Sequence, residues 1–230
     1  MHETATGCIG SRSMKLVKDP AEQTTAVTDI ILALVAFGGV MLLQWPQVNS
    51  SGLLRINVWS TAIGLIGLAA ALGAVAHGLR LKTILHDRIW MVLNLALALA
   101  VSLFVVGVIN DLWGYELARK ALPFMLIAGL GFYLTTLIYP GIFFLFIVYE
   151  GLALFIALGA YLFLTVNGKP GACFMAGGVL LSMIAAGLQA RKSIAFTLVW
   201  KFDHNGIYHI IQTVGLLLLI AGVMGMTIFD

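Results

Sequence analysis

The residues that could do chemistry are a few ionisable side chains placed inside long apolar stretches. Histidine is a common metal ligand and proton carrier, and a carboxylate can hold a metal ion or a water molecule. His77, His209 and Glu150 all stand within apolar runs, where an ionisable group is costly unless it faces a polar interior or water. These positions indicate either a functional site or hydrogen-bonded packing inside a bundle.

The same residues fall at one depth if the apolar stretches are antiparallel helices. Asn205, His209 and Gln212 recur at i, i+4 and i+7, which places them on one helical face. The sequence therefore predicts one hydrophilic layer on the side of the N-terminus. Its other members are Asp29, His77, Asp87, Asn94, Glu150, His204 and Tyr208.

Seven apolar stretches must position this layer. Hydrophobic residues make up 61% of the 230-residue chain and charged residues 10%, which excludes a soluble enzyme, a disordered chain and a nucleic-acid binder. A span needs about 20 apolar residues, and the absence of two-residue alternation disfavours a β-barrel. We predict an all-α membrane protein, a seven-transmembrane helix bundle over residues 23–230 that follows a polar cytoplasmic tail at residues 1–22. The predicted spans are Thr25–Trp45, Val58–Leu79, Ile89–Ile109, Ala121–Tyr139, Ile142–Thr165, Ala172–Ala190 and Asn205–Phe229.

The distribution of basic residues predicts the orientation. Nine Lys and Arg residues lie on the side of the N-terminus and four on the other side, which favours a cytoplasmic N-terminus and an external C-terminus in the plasma or inner membrane. All five tryptophans fall near span ends, as in an aromatic belt. The polar residues of the outer side are expected to lie in loops; these are Asp111, Glu116 and Asn167.

The connections between later spans are short. Tyr139-Pro140-Gly141 is predicted to be a tight turn that makes spans four and five antiparallel neighbours. Residues 167–171, which contain two glycines and a proline, are predicted to do the same for spans five and six.

A metal site is one interpretation of the polar layer. His77 and His209 could bind zinc, and Asp87 could ligate the ion, orient a histidine or hold the metal-bound water. The alternative is structural: His77 could be a packing histidine, Asp29 or Thr28 could cap the first helix, and Asp203, His204 or Asn205 could cap the seventh.

The residues at His77, Asp87 and 205–209 resemble the pattern of the CREST superfamily. These seven-span membrane proteins include alkaline ceramidases and the adiponectin-receptor and hemolysin III relatives. Their pattern is a Ser four residues before a His on span two, an Asp near span three, and H-x-x-x-H on span seven. Here Gly73 stands in place of the Ser and Asn205 in place of the first His of the pair. The resemblance implies zinc held by three histidines and a catalytic water held by Asp87.

The third zinc ligand implied by the resemblance is His204. It precedes the expected position by one residue, which is about 140° around a regular helix from His209. A frayed first turn could bring its side chain back towards the site.

Three functions are compatible with these patterns. The first is a zinc-dependent hydrolase that takes a lipid amide or ester from the cytoplasmic leaflet. The second is a non-catalytic receptor, sensor or scaffold with a degenerate polar site. The third is haem binding or a proton path through Asp29, Glu150 and His77, although no matching polar relay is expected in the outer half.

Overall fold

The computed structural model describes residues 15–45, 50–139, 143–191 and 193–228. Within these ranges the chain forms seven helices that are long and apolar enough to cross a membrane, which confirms the predicted seven-helix, all-α bundle. The helices are α1 (Pro20–Gln44), α2 (Ser50–Gly78), α3 (Thr83–Trp113), α4 (Tyr115–Ile138), α5 (Phe143–Val166), α6 (Ala172–Gln189) and α7 (His204–Ile228).

The ends of α1 and α7 are fixed by aspartate caps. The Ala21 amide donates to Asp19 Oδ1 at 2.9 Å, so α1 begins ahead of the predicted span and Asp29 lies well inside it. The prediction that Asp29 or Thr28 caps this helix is therefore wrong. On α7, the Gly206 amide donates to Asp203 Oδ1 at 2.9 Å, so Asp203 is the cap.

The helices extend beyond the predicted spans because helical structure continues through their polar ends. Asp87 and Asp111 both lie inside α3, and Glu116 lies in the first turn of α4. The expectation that Asp111 and Glu116 occupy loops is wrong. Residues 15–19 precede α1 and pair with the end of α2 through the Val17 amide and the Gly78 carbonyl at 3.0 Å. Residues 20–22 of the predicted tail belong to α1, and residues 1–14 lie outside the described residues.

Six of the helices form a ring in the order α1, α2, α3, α5, α6 and α7, with α7 packed against α1. Helix α4 packs on the outside of α3 and touches α5 through the stacked rings of Phe132 and Tyr149. The predicted turn between spans five and six is confirmed, with Gly168 and Gly171 at positive φ. Pro140 and Gly141 of the other predicted turn lie outside the described residues.

A short hairpin that the sequence did not predict precedes α7. Strand β1 (Phe196–Thr197) pairs antiparallel with β2 (Lys201–Phe202). Strand β2 packs against α1 and α7, so the hairpin lies beside the starts of both helices.

Candidate functional site

A cavity of about 120 Å³ lies inside the ring, where α1, α3, α5 and α7 begin and α2 and α6 end. We call it the central cavity. Asn94 is exposed although it lines the wall, so the cavity opens to the outside of the bundle beside α3. The structure brings together most of the predicted layer on this wall: Asp29, His77, Asn94, Glu150, Asn205, Tyr208 and His209.

Asp29 and His209 form the buried centre of the site. Asp29 is 3% exposed, and its Oδ1 lies 3.3 Å from His209 Nε2. The other ring nitrogen, Nδ1, lies 3.2 Å from Thr28 Oγ1, which is 2.9 Å from the Thr25 carbonyl. Among the described residues, Asp29 Oδ2 is a buried oxygen without a hydrogen-bond partner. An unsatisfied carboxylate oxygen beside a cavity indicates a place for a donor or a cation.

Gly73 supplies the space that Asp29 occupies. A Cβ atom at Gly73 would lie 2.7 Å from Asp29 Oδ2 and 3.0 Å from Oδ1. Any side chain at this position would therefore displace the carboxylate. The departure from the CREST pattern at Gly73 and the presence of Asp29 are thus two parts of one local arrangement.

Glu150 and Tyr208 connect the central cavity with a second one of about 70 Å³. Gln212 and Ser182 supply polar groups to this second wall, which is otherwise mainly apolar. Gln212 therefore lies one cavity deeper than His209, as expected for a residue three positions further along α7.

His77 lies in the last turn of α2, and protein groups contact both its ring and its Nδ1 atom. Its Nδ1 is 2.6 Å from Glu22 Oε2, and its ring meets the Trp90 ring edge to face at 5.7 Å. Nearby, the Gln189 amide donates to Asn205 Oδ1 at 3.2 Å, which links the end of α6 to the start of α7.

Besides Gln212, which lines the second cavity, two predicted site residues do not line the central cavity. The Asp87 side chain is 66% exposed, and its Oδ1 lies 3.7 Å from His86 Nδ1. His204 is the first residue of α7, and because Asp203 caps a regular helical turn there, His204 stays on a different face from His209.

The donor atoms do not fit a zinc ion held as the resemblance implies. Both ring nitrogens of His209 already face protein oxygens, and His77 Nδ1 faces Glu22. Within the part of the chain that the structure describes, no three His, Cys, Asp or Glu side chains are grouped so that they could hold a metal ion. The groups that line the central cavity besides these two histidines include carboxylates, amides and aromatic rings.

A second polar cluster, which the sequence analysis missed, lies at the opposite end of the bundle. We call it the outer network. Asp111 Oδ1 accepts from Arg55 Nε at 2.7 Å, and Oδ2 accepts from Tyr161 Oη at 2.9 Å and Trp59 Nε1 at 3.2 Å. Arg55 also donates to the Met226 carbonyl at 3.2 Å. The network joins α2, α3, α5 and α7.

The outer network corrects two predictions. Trp59 is 1% exposed, so it belongs to the core and not to an aromatic belt, whereas Trp45, Trp113 and Trp200 are exposed. The half of the bundle opposite the central cavity also contains a buried polar cluster, contrary to expectation. The available signal was an Arg and an Asp near the same end of two neighbouring spans.

Comparison with known proteins gives one match. Residues 24–228 match the model of DUF6962, described as a family of unknown function. No curated protein and no solved structure matches the chain.

Proposed function

The chain belongs to the DUF6962 family, and for this member we propose that the central cavity binds a small organic cation within the membrane. One observation carries the proposal: the carboxylates of Asp29 and Glu150 line the same cavity, and among the described residues no Lys or Arg does. The protein is then a binding protein of the receptor or sensor kind, not an enzyme.

The chemistry of the wall supports a cationic ligand. A carboxylate removed from water is costly unless a cation or hydrogen-bond donors compensate it, and Asp29 Oδ2 is not compensated by any described residue. The rings of Trp90 and Tyr208 also line the cavity, and aromatic faces attract ammonium groups. A volume of about 120 Å³ limits the ligand to a small ammonium compound.

Calorimetry with two probes of equal shape tests the proposal. Choline carries a quaternary ammonium group, and 3,3-dimethylbutan-1-ol is its neutral carbon analogue. We expect the purified protein to bind choline and not the alcohol. Asp29→Asn and Glu150→Gln should each weaken choline binding by about 2 kcal/mol, roughly thirtyfold, because each removes a charge from a poorly hydrated site.

Matched controls remove the same charges elsewhere. Asp87→Asn and Glu116→Gln change exposed carboxylates that do not line the cavity and should leave binding unchanged. Equal binding of choline and the alcohol, or an unchanged affinity in both cavity variants, would contradict the proposal.

We propose the orientation given by the basic residues, with the N-terminus in the cytoplasm and the C-terminus outside in a plasma or inner membrane. The central cavity then lies in the cytoplasmic half of the bilayer. Its ligand would enter laterally from the cytoplasmic leaflet, past Asn94.

A zinc-dependent lipid hydrolase is the second candidate. The observation that favours it is that His77 and His209 line one cavity, as the resemblance to the CREST superfamily implies. It requires an additional ligand that the described side chains do not supply. Metal analysis separates the candidates: stoichiometric zinc that is lost in His77→Ala and His209→Ala would support the hydrolase, and metal-free protein that binds choline would exclude it.

A further inference from the structure

A second recess lies outside the ring, between the hairpin and the starts of α1 and α7. It has a volume of about 560 Å³, and we call it the hairpin groove. Its walls include Val27 and Ile31 of α1, Trp200 and Lys201 of the hairpin, and Ile210 of α7. From this groove we propose a binding site for one bilayer phospholipid with an anionic headgroup.

The hairpin tip is suited to the membrane interface. Leu198, Val199 and Trp200 are 80%, 77% and 68% exposed, so three consecutive apolar side chains project from the protein surface. Such a patch is unfavourable in water and favourable at the boundary between headgroups and acyl chains, where tryptophan is enriched. The hairpin packs against α1 and α7, so its tip enters the bilayer beside them.

The groove is polar at one end and apolar along its depth. Gln23 and Thr24 lie at the start of α1, and Ile31 lies seven residues further, about 10 Å deeper along the helix. Val27, Ile31 and Ile210 are all more than 40% exposed, so their side chains are not covered by described residues. The polar end of the groove can therefore hold a lipid headgroup, and the apolar part can hold the first part of an acyl chain.

The charge at the rim selects the headgroup. Lys201 is the charged residue among the described residues that line the groove, and none of them is acidic. A lysine near the membrane surface attracts anionic lipid, and a single one is expected to favour it about fivefold over zwitterionic lipid. No residue that lines the groove also lines the central cavity, so the lipid-binding proposal does not depend on cation binding in that cavity.

Tryptophan quenching by brominated lipids tests the proposal. The protein is reconstituted in phosphatidylcholine vesicles. Two matched series contain increasing fractions of either dibrominated phosphatidylglycerol or dibrominated phosphatidylcholine. The signal of Trp200 is the difference between the wild-type protein and Trp200→Phe. We expect the brominated phosphatidylglycerol to half-quench Trp200 at about one fifth of the concentration that the phosphatidylcholine requires.

Two variants separate the charge from the groove. Lys201→Gln should abolish the preference, whereas Lys120→Gln, which changes an exposed lysine outside the groove, should retain it. Val27→Phe fills the groove without adding a tryptophan and should reduce the preference with Lys201 intact. Far-ultraviolet dichroism and gel filtration establish that each variant is folded.

Three results would overturn the proposal. The first is equal quenching of Trp200 by both brominated lipids in the wild-type protein. The second is an unchanged preference in folded Lys201→Gln. The third is removal of the preference by millimolar inorganic phosphate, which would show that the site recognises free phosphate and not a lipid.

Discussion

Replacing Asp111 by Asn should destabilise the protein strongly although the side chain keeps its size. The Asp111 side chain is fully buried, and it accepts hydrogen bonds from Arg55, Trp59 and Tyr161. An amide carries one acceptor oxygen and one donor nitrogen. If the oxygen serves Trp59 and Tyr161, the NH₂ group must face the Arg55 guanidinium, so a buried ion pair becomes a contact between two donors.

The expected loss follows from these contacts. Removing one partner of a buried ion pair costs about 3 kcal/mol or more, because the remaining charge stays away from water. Arg55 retains its bond to the Met226 carbonyl, so we expect a value at the low end, about 3 kcal/mol. Tyr161→Phe removes one donor and leaves Asp111 with two, so it should cost about 1 kcal/mol.

Unfolding in mixed micelles of a mild detergent and dodecyl sulfate measures both losses. Glu116→Gln is the matched control, because it makes the same acid-to-amide change at an exposed position and should alter the free energy of unfolding by less than about 0.5 kcal/mol. If Asp111→Asn costs no more than Tyr161→Phe, the ion pair does not stabilise the junction of α2, α3, α5 and α7. The account of the outer network would then be wrong.

Three further predictions concern the packing of α2 and α3, the position of Asp29 in the central cavity, and the orientation of the chain. Gly107→Ala should cost about 1–3 kcal/mol in the same unfolding assay, because its Cβ would lie 2.6 Å from the ring of Trp59; Gly159→Ala, which meets nothing within 4 Å, should cost nothing and serves as the control. Gly73→Ala should displace Asp29 and lower choline affinity at least tenfold by calorimetry, and an unchanged affinity would show that Asp29 does not bind the cation. Alkaline phosphatase fused to the C-terminus should be active and the same enzyme fused to the N-terminus inactive, and the reverse result would refute the proposed orientation.

The central cavity could be predicted because depth along a span is readable from the sequence. Asp29, His77, Glu150 and His209 lie on four different helices, and alternating span directions bring them to one level. The contacts within that level could not be predicted, since they depend on the rotation of each helix about its axis. Asp87 and Asn94 were both predicted in the layer, seven residues apart on one face of α3. Asn94 lines the wall, whereas Asp87, about two turns nearer the helix start, is exposed.

The outer network was missed for a different physical reason. Polar residues lower the mean hydropathy at the end of a span, so the predicted helix stops before them and they are taken for loop residues. Arg55 and Asp111 compensate each other's charge, and a compensated pair can remain inside a helical bundle. A search for opposite charges at matching depths on neighbouring spans would have found them. The hairpin was not predicted because strands of two residues are too short to show an alternation of apolar and polar residues.

The charge state of Asp29 fixes the direction of the hydrogen bonds that join it to His209 and Thr28. Thr28 lines the groove, His209 lines the cavity, and the imidazole between Thr28 Oγ1 and Asp29 Oδ1 carries one proton when neutral. When Asp29 is ionised, that proton must lie on Nε2, and Nδ1 accepts from the Thr28 hydroxyl. When Asp29 is protonated, it donates to Nε2, so Nδ1 carries the proton and the Thr28 hydroxyl turns to the Thr25 carbonyl. A cation in the cavity favours ionised Asp29, so we expect choline to move the His209 proton from Nδ1 to Nε2. Nitrogen-15 spectra of labelled imidazole distinguish the two tautomers, and identical spectra with and without bound choline would show that the chain does not respond to the ligand.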